Sequence, residues 1–304
     1  MAIKLPARES PLKQLHAQGI FPEDNTALSH FIKCPEAYRL RHMLDLIPRD
    51  AVPNFKLMFG VCGHKALEMW YPNKDRVAAR AAFRDSFHQY QEQPKLSEKT
   101  GKELATTYTV LTGLSLLELY FQHYEKENYI LLENEIVVCD EIAPGVFWSG
   151  RIDKVLQGRG NTIKFRDHKF SARPGQFVIN PNPQFMGYTA LLECLTGCTV
   201  EGEVDIVVPK KKGTPAELLI RDQVVFSKHQ MAAWHKDVCY HMAQIKHLRE
   251  TLGPDKPWPR HWNCSVYREC EFLPLCASGN ETAHQNILAS RYRVKAWDPF
   301  MEDL

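Results

Sequence analysis

What the chain lacks narrows it first. No stretch approaches the ~20 apolar residues that a membrane helix needs; the most apolar windows, Tyr188–Cys198 and Ile136–Cys139, are short and interrupted by polar groups. The opening MAIKLPARESPLKQ has no apolar block of the kind a secretory leader carries, so a soluble, cytoplasmic protein is expected. No charge of one sign dominates: 38 Lys and Arg face 36 Asp and Glu, a net charge of +2. Global charge therefore announces no polyanion partner, although a local basic groove can vanish in such a total. There is no internal repeat and no low-complexity tract. With 44% apolar and 24% charged residues over 304 positions, a disordered chain, a coiled coil and a collagen-like fibre are excluded. Nine cysteines are present but no close C-x2-C pair, and a disulfide framework is not expected of a long chain without a leader.

What is there reads as one mixed α/β domain over 1–304. A helical part spans 26–127: a helix from Thr26 capped by Ser29 and burying Phe31, Ile32 and Tyr38, then Phe55 to Trp70, then 76–95 and 99–127. The last carries an apolar stripe of Leu104, Tyr108, Leu111, Leu114, Leu117 and Phe121. Gly60 and Gly63 weaken the second helix and invite a close approach by backbone or substrate. The pattern then changes to an α/β core over 128–226. Tyr129–Ile142, Val146–Gln157 and Thr162–Phe170 alternate as an antiparallel meander, followed by a helix at Pro183–Leu195 and strands near Val200–Pro209 and Leu218–Phe226. A long helix capped by Ser227 leads into a cysteine-bearing segment ending at 276, and 277–304 reads as a tail.

Chemistry concentrates on the meander. Asp153 lies on one strand and Asp167 on the next, so the two carboxylates converge if they share a face, since neighbouring strands stand ~4.8 Å apart. Paired carboxylates suit a hard divalent ion such as Mg²⁺ or Mn²⁺. Lys169, two residues beyond Asp167, shares its face; a lysine there orients water and offsets charge on a phosphate. Gln184 and Tyr188 share a face of the following helix. Taken singly these residues read as surface ion pairs, a solvated glutamine and a core tyrosine. As a set they are what phosphodiester hydrolysis needs.

The strings WSGRIDKVL, IKFRDHKFS and PQFMGYTALL resemble, in this order, the motifs of the PD-(D/E)xK nuclease superfamily, in particular its RecB-type exonuclease branch. The resemblance implies a restriction-endonuclease-like core, a mixed sheet flanked by helices. It implies Asp153 and Asp167 as metal ligands, Lys169 as the catalytic lysine, and Gln184 and Tyr188 as active-site or DNA contacts. His64, in Gly60-Val61-Cys62-Gly63-His64, matches a histidine that ligates metal in relatives; Glu68, one turn on, reads as a solvated helix residue.

Five cysteines, Cys62, Cys139, Cys194, Cys198 and Cys239, sit in apolar stretches and read as small core residues. Cys264, Cys270 and Cys276 cluster in a polar segment and need a fourth partner, for which Cys34 in SHFIKCPEAYRLR is the candidate. This resembles the iron–sulfur subgroup of these nucleases, which includes AddB, the CRISPR-associated spacer-acquisition nucleases and exonuclease V, and it implies a [4Fe–4S] cluster stapling the two ends of the domain. The usual C-x2-C-x5-C ending is altered: Tyr267 stands at its first position and Cys264 lies three residues earlier. Zn²⁺ and free thiols are the alternatives.

The expected activity is a metal-dependent DNA exonuclease acting on single strands or DNA ends, as in replication, recombination or repair, and a small chain of this kind fits a phage. The rival class is a non-cleaving DNA- or partner-binding protein with a Zn²⁺ or Fe–S staple. A recombination or replication partner, or self-association, is compatible with either. Basic candidates for DNA contact are Arg39, Arg41 and His42, Arg151 beside the catalytic strand, and Lys210-Lys211-Lys212, which more often is a solvated turn; Trp148, Phe165 and Phe170 are aromatic candidates for stacking, with core packing the commoner role for most of them.

Overall fold

The computed structural model describes residues 15, 20, 22–50, 55–91, 107–210, 212–261, 264 and 269–296, with the side chains of 90 and 91 outside that description. Helix α1 (Asn25–Lys33) begins at Asp24, whose Oδ1 accepts the Ala27 N–H at 2.7 Å. A carboxylate at this end satisfies a free N–H and meets the positive end of the helix dipole, so it displaces Ser29 as the cap. Ser29 instead lies inside the helix and donates to the Asn25 carbonyl. Phe31 and Tyr38 are buried, but Ile32 is 47% exposed, against expectation. Cys34 ends α1 in an extended conformation, and Pro35 opens the short α2 (Pro35–Tyr38), where its missing N–H costs nothing. A widened turn, Arg39–Met43, leads to strand β1 (Leu46–Pro48).

Helices α3 (Phe55–Trp70) and α4 (Arg76–Gln91) pack edge to face through Phe59 and Phe83, 5.5 Å between ring centroids. Helix α5 (Val110–Tyr124) starts later than the apolar stripe implies, because the Thr109 hydroxyl caps it by accepting from the Thr112 N–H at 3.0 Å. Tyr108, Leu117 and Phe121 are buried, Leu111 is 77% exposed, and Leu104 lies outside the described residues.

The expected meander is present as β2 (Leu131–Ala143), β3 (Val146–Gln157) and β4 (Thr162–Phe170), turning at Gly145 (φ +73°) and Gly160 (φ +61°), where glycine tolerates the left-handed backbone. Helix α6 (Pro183–Thr196) crosses over to β5 (Thr199–Val207), which pairs parallel with β4, as a crossover connection permits. After the short α7 (Pro215–Leu218), β6 (Leu219–Val224) completes a five-stranded sheet whose order follows the chain. Helix α6 lies against one face, with the Phe185 and Tyr188 rings 5.8 and 5.7 Å from Phe165. On the other face Tyr71, just past α3, and Tyr120 of α5 meet His168 of β4. Gly63 is required here: a Cβ would fall 2.0 Å from the Phe170 ring. The close neighbour is thus a side chain of β4.

Helix α8 (Lys228–Thr251) is capped by Ser227 in reciprocal bonds with Gln230. The segment read as a tail folds through residue 296: after α9 (Leu273–Cys276), α10 (Glu281–Arg291) is followed by β7 (Tyr292–Val294), which pairs antiparallel with β1. A small second core, Leu40, Leu46, Phe272, Leu275 and Tyr292, joins this C-terminal piece to the segment after α1. Residues 297–304 lie outside the described ones. Cys62, Cys139 and Cys198 are buried as expected, Cys239 is half-buried, and Cys194 is exposed on α6. Arg39 and Arg41 are buried, Arg39 in an ion pair with Glu36 at 2.8 Å, so this basic run does not form a DNA-facing surface. No described helix is long and apolar enough to cross a membrane.

Candidate active site

Three adjacent strands, α3 and α6 converge on a pocket of about 340 Å³ lined by His64, Asp153, Asp167, Lys169, Gln184 and Tyr188, among others. Strand alternation puts Asp167 and Lys169 on the α6 side, and Lys169 Nζ stands 2.8 Å from Asp167 Oδ2. The same ammonium donates to Gln184 Oε1 at 3.3 Å, and Gln184 Nε2 donates to the Tyr188 hydroxyl at 2.6 Å. Gln184 and Tyr188 are one turn apart on α6, which Asn182 caps and Pro183 opens. His64 Nδ1 lies 3.1 Å from Asp153 Oδ2. All six residues proposed from the sequence to surround a metal and a phosphate therefore meet in one place. Arg151 also lines the pocket, its Nε held by Glu135 Oε2 at 3.0 Å. Glu68 does not border it.

Glu135 is the residue that reading the sequence missed. It lies on β2 between Asn134 and Ile136, which pair with Lys154 and Ile152, so it stands across from Asp153. Its φ of +52° is left-handed, a conformation that costs a non-glycine residue about 1–3 kcal/mol. Salt bridges from Arg151 and from Lys154 Nζ, at 2.9 Å, hold its carboxylate. One donor atom each from His64, Glu135 and Asp153 lies within 4.8 Å of the others, a grouping that can hold a metal ion. The strand was legible in sequence, but the register that brings Glu135 to Asp153 was not.

The electrostatics fit a cation. Burial, only partly offset by Lys169 and reinforced by the charge of Asp153, pushes Asp167 up to about 6, and its Oδ1 is buried with no hydrogen-bond partner. Burial works against ionisation of Asp153 too, yet the charge of His64 and hydrogen bonds from His168 and His64 hold it well below the usual carboxylate range. Burial, then the charge of Asp153, raises Glu135. Lys169 is raised despite burial because Asp167 stabilises its charge. Crowded acids with an unpaired buried oxygen are a site that a hard divalent cation relieves.

A second cavity, about 600 Å³, is lined by Cys34, Cys264, Cys270 and Cys276. Cys34 sits where α1 ends, Cys276 closes α9, and the Cys270 N–H donates to the Cys264 carbonyl at 2.8 Å. Burial pushes the Cys276 thiol up to about 11 and raises Cys270 as well. Half-buried, protonated thiols of this kind become ligands when a metal centre takes their protons. No three of them gather within the 4.8 Å that joins His64, Glu135 and Asp153. Tetrahedral zinc, with Zn–S bonds of about 2.3 Å, draws its sulfurs to ~3.8 Å apart. The thiol donor set itself accepts either Zn²⁺ or an iron–sulfur cluster.

A model of the PD-(D/E)XK nuclease superfamily matches residues 25–277. The chain belongs to this superfamily. Its five-stranded mixed sheet with flanking helices is the restriction-endonuclease-like core, and both cavities fall within the matched span. Among solved structures, a candidate exonuclease from Eubacterium rectale is similar at 12% identity and a TM-score of 0.48, covering 88% of this chain and 93% of that one. LHK-Exo in complex with dAMP is similar at 10% identity and a TM-score of 0.30, covering 64% of this chain and 95% of that one. At these scores neither likeness bears on the reaction. No curated protein matches the chain.

Proposed function

We propose that this nuclease is a divalent-metal-dependent deoxyribonuclease that removes nucleotides from the ends of DNA, preferentially single-stranded, and that its four thiols carry a structural [4Fe–4S] cluster. The observation that supports the reading most is the convergence of Asp153, Asp167, Lys169, Gln184 and Tyr188 on one pocket with His64 and Glu135. Asp153, Asp167, Glu135 and His64 would hold Mg²⁺ or Mn²⁺. A bound divalent ion supplies Lewis-acid polarisation of the phosphate and lowers the pKa of water.

The side chains do the rest. Lys169, kept protonated by Asp167, places a fixed positive charge beside the reacting phosphate and orients the attacking water. Gln184 fixes the lysine, and Tyr188 fixes the glutamine amide, so the ammonium does not wander. A hollow of about 390 Å³ beside the pocket, with Lys56, Arg173, Phe170 and Phe177 on its wall, supports a single-strand path. Its rings can stack bases and its cations can meet phosphates; Lys169 Nζ is 6.0 Å from the Phe177 ring centroid, so this hollow adjoins the reaction centre.

The test uses protein purified without oxygen, with single-stranded and duplex DNA labelled separately at each end, in Mg²⁺ or Mn²⁺. The reading predicts short labelled products from one end of the single strand. Bound but uncut DNA in both metals would overturn it. Iron analysis with electronic spectra tests the cluster, and stoichiometric zinc without iron would replace it.

A further inference from the structure

His168, between Asp167 and Lys169, points away from the pocket and is wholly buried. Its backbone N–H donates to Asp153 Oδ2 at 2.8 Å, and its ring Nδ1 stands 3.3 Å from the same oxygen. An ionised carboxylate only accepts, so Nδ1 carries the proton and Nε2 is left as an acceptor. Nε2 faces the hydroxyls of Tyr120 at 3.1 Å and Tyr71 at 3.2 Å. Tyr120 gives its proton to Asp205 Oδ2 at 2.6 Å, while Arg166 donates to the Tyr71 oxygen at 3.1 Å. The proton of Tyr71 faces two acceptors, Nε2 and the Tyr120 hydroxyl oxygen at 2.7 Å. Asp205 is itself fixed by two bonds from Arg221, one at 2.6 Å. A continuous buried polar chain thus runs from Arg221 on β6, beneath the sheet, to a carboxylate on β3.

We infer that His168 is a positioning residue for the proposed metal site: it clamps Oδ2 of Asp153, the oxygen that also faces His64, through ring and backbone together, and so fixes how the carboxylate is presented to a cation. The Asp153 carboxylate fixes the ring tautomer, and the Tyr71 and Tyr120 hydroxyls hold the ring from the Nε2 side. None of His168, Tyr71, Tyr120 and Asp205 lines the pocket, so none can act on substrate directly. The inference rests on the metal-dependent reading of the pocket, but its claim concerns metal affinity and geometry rather than cleavage.

The test exploits the reach of two amides. Asparagine places a donor near the position of Nδ1; glutamine places one near Nε2. Mn²⁺ binding by the intact, anaerobically purified protein would be followed by electron paramagnetic resonance, with a melting curve for each variant. His168→Gln is expected to weaken Mn²⁺ binding about 10- to 100-fold, the usual cost of losing a group that orients a ligand, and His168→Asn to recover most of it. Equal binding by wild type and both folded variants would overturn the inference, as would a glutamine variant that binds better than the asparagine one. Should both amides fail to fold, Tyr71→Phe removes one hydroxyl behind Nε2, which also meets Tyr120 and Arg166. A loss of several-fold in Mn²⁺ affinity is then expected, and unchanged affinity overturns the claim. If the Asn and Gln variants differ as expected but wild type cuts no DNA, the positioning role stands and the nuclease reading fails.

Discussion

The two cavities of this molecule are built in opposite ways. The carboxylate pocket is assembled on β2, β3 and β4, where strand pairing and an ionic layer of buried pairs, Glu135 with Lys154 and Glu203 with Arg166, hold the side chains before any ligand arrives. Three of its donors, on His64, Glu135 and Asp153, already stand within 4.8 Å of one another. The thiol cavity is assembled from the end of α1 and the segment around 264–276, two regions far apart in sequence that meet beside a small second core. The sheet therefore makes the first site, whereas under the proposed reading the cluster would help to hold the second together. Changes at the pocket should cost function and spare the fold, and changes at the thiols should do the reverse.

The largest effect is expected at the thiols. Cys270→Ser should drop iron to background and lower the melting midpoint by about 10 °C or more, because a metal centre bound only by the folded state contributes its binding energy to folding. Calorimetry with iron analysis checks this, and a folded, iron-replete variant would erase the contrast. At the pocket, Glu135→Gln should weaken Mn²⁺ binding about 10- to 100-fold with the melting midpoint nearly unchanged. Titration calorimetry reads the first and a thermal melt the second; a collapse in stability would place Glu135 among the structural residues.

Smaller still is Tyr188→Phe. Removing the hydroxyl that receives Gln184 frees the amide behind Lys169, and kcat should fall about tenfold while DNA affinity stays the same. A loss confined to KM would contradict the positioning argument. The smallest concerns the ionic layer. Burial opposes ionisation of Glu203, but Arg166, with hydrogen bonds from Gln223, Lys164 and Arg166, holds it down to about 2 from 4.5. A depressed carboxylate contributes stability above its unfolded value and loses it as pH falls through the folded one. The stability gap between wild type and Glu203→Gln should therefore narrow from pH 4.5 towards pH 2. Urea unfolding at two acidities checks it, and a gap that is equal at both contradicts it.

Much of the pocket was legible because its parts are local. Asp167 and Lys169 share a face by alternation, Gln184 and Tyr188 by helical spacing, and Asp153 lies one hairpin away. Glu135 and His168 were not legible, since each depends on register or on which face meets α5. Asp205, inside an apolar run, carried a signal that went unused: a lone acid there implies a buried partner. The helix start at Asp24 was lost to Ser29 because two good capping residues lie five positions apart. The folded 281–294 segment was missed because its strand has only three residues and is paired with β1 across nearly the whole chain.

Lys169 is the residue on which cleavage should depend most directly. End-labelled single-stranded DNA should be degraded by wild type only when Mg²⁺ or Mn²⁺ is present. Lys169→Ala, binding the same oligonucleotide in Ca²⁺ with wild-type affinity, should cut it at least about 1,000-fold more slowly. Equal cutting by the variant, or wild-type cutting in chelator, would contradict the placement of the active site.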